Sequence, residues 1–83
     1  MNHNDWMKES GFCKRLKQAR IKKRLVQEDV VKQMEGRFSV GILESYENGA
    51  ICPSVGRVVE MARIYGCSMD WLCGTDVVGG GKA

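Results

Sequence analysis

Apolar residues recur at three- and four-residue steps along most of this chain, the spacing that lines one face of a helix. Phe12, Leu16 and Ala19 do so between lysines and arginines, which predicts a first helix from Phe12 to about Lys23. In VQEDVVKQME, Val30, Val31 and Met34 form the inward face of a second helix, with Glu28 and Asp29 in the first turn, where the helix dipole favours negative charge. Gly36 then breaks the period. Ser39 is a good N-cap for a third helix, which turns Leu43 and Tyr46 inward and stops at Asn48-Gly49, a left-handed signal. Pro53 and Ser54 announce a fourth, VGRVVEMARIY, whose Val55, Val58, Val59, Ala62 and Tyr65 lie at helical spacing and which Gly66 ends. A fifth, SMDWLCG, opens on Ser68, places Asp70 in its first turn and ends at Gly74.

Five short helices with tight connections make an all-α domain. The second and third are joined by only a few residues around a glycine, a helix-turn-helix arrangement. The inward positions predict one shared core of Phe12, Leu16, Val30, Met34, Leu43, Tyr46, Val58, Ala62 and Leu72. The polar stretch MNHNDWMKESG, residues 1–11, reads as an N-terminal extension in which Trp6 is able to pin a short turn. Residues 12–74 form the folded unit, and TDVVGGGKA, residues 75–83, reads as a flexible tail or the start of a linker.

At 83 residues, 43% hydrophobic and 28% charged, the chain has room for one modest core and the composition of an ordinary folded protein. The formal charge of +3 matters through its distribution. Lys14, Arg15, Lys17, Arg20, Lys22, Lys23 and Arg24 are uninterrupted by any carboxylate, a local positive face suited to phosphate, nucleic acid or an acidic partner. Cys13, Cys52, Cys67 and Cys73 lack the close spacing of a zinc knuckle, and His3 is the sole histidine, so no metal or cofactor is expected. Three of them, Cys13, Cys67 and Cys73, fall at or beside small apolar positions, where cysteine serves as a small hydrophobe. No apolar run is long enough for a membrane and nothing reads as a secretory signal, so a reduced, cytoplasmic protein is expected. With a single histidine, no phosphate-cradling loop and no convergent carboxylates, no enzyme and no small-molecule substrate are expected.

The segments FCKRLKQAR, LVQEDVVKQM, FSVGILESYENG and PSVGRVVEMARIYGCSMDWLCG resemble the Cro and phage-repressor type of helix-turn-helix domain, and GCSMDWLCGTD is especially close to the fifth helix of lambdoid phage repressors. The resemblance covers Phe12 to Gly74 and implies a five-helix lambda-repressor-like DNA-binding domain that acts on double-stranded DNA, usually as a homodimer. It implies further that Gln27 touches the DNA backbone or an outer base, that Arg20 and Glu47 form a buried ion pair, and that Asn48 contacts phosphate. The reading positions become Val40, Gly41 and Ser45, with Glu44 beside them, and Ser39 at the head of the helix belongs to the same DNA-binding set. Family geometry and local apolar residues place the dimer contact at the fifth helix and the loop around Ile51 and Cys52. Four departures bear on geometry. EGRF lengthens the turn before Ser39, Val26 replaces a capping Ser or Thr, Val31 replaces a small Ala, and Arg24 stands where a glycine often ends the first helix.

From Ser39 to Glu47 there is no Arg, Lys, Asn or Gln, the side chains that pair most readily with base edges. Val40 suits a thymine methyl or a filled apolar gap. Glu44 suits a cytosine amino group or plain solvation, and Ser45 suits either base edge. Arg37, in the long turn, reaches either guanine or, as most protein–DNA contacts do, phosphate. Trp71 is expected to anchor the fifth helix. The leading expectation is a sequence-specific DNA-binding transcriptional regulator of phage or prophage-repressor type. A protein-interaction module on the same fold, an antitoxin or adaptor, is the alternative that the reader-poor third helix favours. A cysteine-based redox sensor is a third reading, carried by the cysteines alone.

Overall fold

The computed structural model describes residues 11–74. Within them lie five helices, α1 (Phe12–Lys22), α2 (Gln27–Gln33), α3 (Val40–Asn48), α4 (Val55–Tyr65) and α5 (Met69–Cys73). The expectations about His3, Trp6 and the glycine tail fall outside the described residues. All nine expected core side chains are buried, and Cys13, Ala19, Phe38, Met61 and Tyr65 join them. α1 packs on α3, α4 and α5, while α2 packs on α3 and α4, so the core sits where all five meet.

The helix ends follow local chemistry. Ser39, Ser54 and Ser68 each accept a backbone N–H of the first turn, from Ile42, Arg57 and Trp71 at 3.2, 3.2 and 3.0 Å. Each satisfies one of the donors that a helix start leaves unpaired. Val26 offers no such oxygen, and the start of α2 is tied instead by Asp29, whose carboxylate accepts the Val26 N–H at 3.1 Å. That contact is the acidic half of a capping box. α3 stops because Gly49 enters the left-handed region at φ 86°, letting Ala50 N–H bond back to the Ser45 carbonyl at 2.9 Å.

Three expected inward residues are not in the core, and one of them, Val59, is half-buried beside the stripe that Val58 and Ala62 carry. Val55 is 74% exposed, because it is the first residue of α4 and the buried stripe is carried by Val58, Met61, Ala62 and Tyr65. Val31 is half-buried: in a helix as short as α2, Val30 and Met34 fill the inward stripe and Val31 lies beside it.

The long turn between α2 and α3 is fastened to α4. Phe38 is buried to 8% exposure, its ring centroid 5.8 Å from that of Tyr46. The Arg57 guanidinium lies 4.7 Å from the centre of the Phe38 ring and donates to the Tyr46 hydroxyl at 2.9 Å. Arg37 bonds the Glu60 carboxylate at 2.6 Å and the Met34 carbonyl at 3.0 Å. The chain reverses at Glu35 and Gly36, with φ of 60° and 67°, under an Arg37 N–H to Met34 carbonyl bond of 3.2 Å. Two positive φ angles in succession are the mark of a type I′ turn, which favours Asn-Gly. Glu35→Asn is therefore expected to stabilise the domain by about 0.5–1 kcal/mol, seen as a higher urea midpoint at unchanged slope. A lower midpoint would show that the Glu35 carboxylate matters more than its backbone.

Candidate nucleic-acid interface

The departure of Arg24 from glycine has a visible cost: Arg24 ends α1 in the left-handed region at φ 60°. There the chain reverses, the Leu25 N–H bonds to the Arg20 carbonyl at 3.2 Å, and Gln27 is delivered to the first position of α2. Arg20 holds this corner. Its Nη1 donates to the Leu25 carbonyl at 2.9 Å, while Nε and Nη2 grip the Glu47 carboxylate at 2.7 and 3.1 Å. The pair is buried, with side chains 10% and 4% exposed. Hydrogen bonding to Glu47 raises the Arg20 pKa above its ordinary value, so its charge is permanent.

Gln27 Nε2 donates to the same carboxylate at 3.2 Å. Glu47 thus joins α1, the α1–α2 corner and α2 to α3. Nearby, the Tyr65 hydroxyl is buried without a hydrogen-bond partner among the described residues. Burial, followed by the charge of Glu47, pushes its pKa up, and it stays neutral.

In front of this network lies an open polar cleft of about 400 Å³ lined by Lys17, Arg20, Gln27, Glu44, Glu47 and Asn48. Asn48 Oδ1 accepts the Ala50 N–H at 2.9 Å, which leaves its Nδ2 hydrogens to point elsewhere. Lys17 belongs to this cleft and did not stand out in the basic run; its signal was its place three residues before Arg20, on the same side of α1.

The structure divides the expected reading residues. Gly41 and Glu44 are exposed and Val40 is half-buried on the outer side of α3. Ser39 spends its hydroxyl oxygen on the cap. Ser45 Oγ donates back to the Gly41 carbonyl at 3.0 Å. Arg37, in the turn before α3, bonds Glu60 on α4 through a partly exposed guanidinium.

The basic run is likewise divided. Arg20 is interior, and Arg15 is half-buried with its guanidinium 5.7 Å from the centre of the Trp71 ring and donating to the Trp71 carbonyl at 3.2 Å. Trp71 therefore anchors α5 through Arg15 as well as through apolar packing. Lys14, Lys17, Lys22, Lys23 and Arg24 remain exposed as the positive face.

Cys52, Cys67 and Cys73 are free thiols. Burial pushes the Cys67 and Cys73 thiols up, the second with help from Asp70, and a raised thiol pKa is opposite to what a reactive cysteine needs. Among the described residues no three His, Cys, Asp or Glu side chains are placed to hold a metal ion, and no helix is long and apolar enough to cross a membrane.

The "Helix-turn-helix" family model matches residues 16–72, from Leu16 in α1 to Leu72 in α5. No curated protein and no solved structure gives a significant match. The match covers well over half of the chain and takes in both helices of the motif, the turn between them and the Arg20–Glu47 network, and the chain belongs to the Cro/C1-type helix-turn-helix family of DNA-binding regulators.

Proposed function

We propose that this protein is a sequence-specific, double-stranded DNA-binding transcriptional regulator, a cytoplasmic repressor of phage or prophage type, with residues 12–74 as its DNA-binding unit. The observation that carries this reading is the placement of α3. Its outer side is exposed, Gln27 and Asn48 flank it, and Lys17 shares their cleft. Gln27 and Asn48 act as backbone anchors, each with an amide hydrogen left for phosphate after its internal bond. Val40, Gly41, Glu44 and Ser45 face the groove, while Arg37 contributes through the position of the turn. Such anchors fix register without reporting sequence, and base edges supply the discrimination.

Assembly as a homodimer is part of the proposal. Ile51 and Val55 are exposed. Beside them an apolar cleft of about 130 Å³ is lined by Phe12, Cys52, Pro53, Val58, Met69 and Cys73. A second copy covering that patch would place two α3 helices on half-sites about one helical turn, ~10 base pairs, apart. The scarcity of donors on α3 favours one other reading, an adaptor that uses this surface on a protein.

Selection from a random duplex pool tests the choice. The regulator predicts an enriched motif with two half-sites at that spacing, whereas no retention at low salt supports the adaptor. Lys17→Ala is expected to weaken all retained sequences alike and to lower the salt slope by about 0.9, the effect of one phosphate contact. An unchanged slope would remove Lys17 from the contact surface.

A further inference from the structure

The groove-facing side of α3 is short of donors in a particular way. Ser45 is bonded to the Gly41 carbonyl, Arg37 to Glu60, and Gln27 to Glu47. Glu44 is exposed, and no hydrogen bond or ion pair holds its carboxylate among the described residues. One helical turn before it stands Val40 on the same strip of the helix. Gly41 leaves the space beside them open, since a Cβ built there would meet only Ser39 Oγ, at 3.7 Å. The surface thus presents one acceptor and one branched apolar group about a helical pitch apart.

The complement of that surface is a donor beside a methyl group. Guanine shows two acceptors in the major groove, thymine an acceptor beside its methyl, and adenine a donor beside the N7 acceptor. All three set an acceptor where a carboxylate would be repelled. Cytosine alone shows an amino donor flanked by a carbon, C5. Resting on the DNA-binding reading above, we propose that Glu44 and Val40 together read one cytosine in each half-site, and that they bind it best when its C5 carries a methyl group. Glu44 accepts from the N4 amino group. Val40 packs on the C5 position, so the protein senses cytosine methylation.

Two random duplex pools, one synthesised with deoxycytidine and one with 5-methyldeoxycytidine, supply the test. Defined duplexes are then made from the motifs they yield. Both pools are expected to enrich a cytosine at one fixed position per half-site, and methylating that cytosine alone is expected to tighten binding roughly fourfold, the effect of burying one methyl group. Thymine there, with the methyl but not the donor, should bind less well than either cytosine. Glu44→Gln is expected to move the preference to adenine, which a glutamine amide contacts through N6 and N7. Val40→Ala is expected to keep the cytosine and lose the methyl effect. A motif whose bases are indifferent to Glu44→Gln, or equal affinity for methylated and unmethylated duplexes, overturns this inference and leaves the regulator standing. Retention without any motif in either pool overturns both.

Discussion

Glu47→Ala is expected to cost about 3–5 kcal/mol of unfolding free energy, because it strands the Arg20 charge in the interior. That is a large share of the stability of a domain this size and corresponds to a fall in melting temperature of roughly 15 °C or more. The loss should exceed that of an ordinary ion pair, since the carboxylate also accepts from Gln27 and ties three elements together. Glu60→Ala is the control. Its bridge to Arg37 has side chains 38% and 48% exposed, and such surface pairs contribute little. The double replacement Arg20→Met with Glu47→Leu is expected to be milder than Glu47→Ala, because no charge is then left unpaired. Equal melting temperatures for the Glu47 and Glu60 variants would show that the network is not what joins α1 to α3.

Phe38→Ala is expected to cost about 3 kcal/mol, within the range for truncating a buried aromatic ring. It should also lower DNA affinity, although Phe38 faces away from solvent. The ring is the wedge between Tyr46 on α3 and Arg57 on α4, and its removal takes away the contact that fixes how α3 leaves the turn. Phe38→Leu, which keeps most of the volume, should recover much of the stability. Urea midpoints read the first effect, and binding of each variant to a selected duplex, at a temperature where it is folded, reads the second. A cost under about 1 kcal/mol would mean that the turn is a surface loop and that Phe38 fills no part of the core.

The readable and unreadable parts of this fold separate along a physical line. Ser39, Ser54 and Ser68, with Gly49, Gly66 and Gly74, announced the ends of three helices because a cap acts within one turn of chain. The core stripe was legible for the same reason, apart from Val31, Val55 and Val59, which have helical spacing but stand outside the packed layer. Phe38 was missed because it lies in a turn, where no period marks a residue as inward. Met61 was missed because Glu60 and Arg63 surround it with charge.

The candidate surface was legible only in outline. Arg37, Gln27 and Arg15 each carry donors suited to DNA, and all three have internal partners far away in sequence, at Glu60, Glu47 and Trp71. No spacing rule foretells such a partner. The one departure that most threatened the angle of α3, the lengthened turn, proved to bring its own fastening.

That fastening separates how α3 is held from what it shows. Leu43, Tyr46 and Glu47 anchor the helix from within, Ser39 and Gly49 close its ends, and Phe38 sets its exit from the turn. None of these tasks falls to Val40, Gly41 or Glu44. A library that randomises those three positions should therefore be rich in folded members, and operator choice should be open to reprogramming without repair of the scaffold.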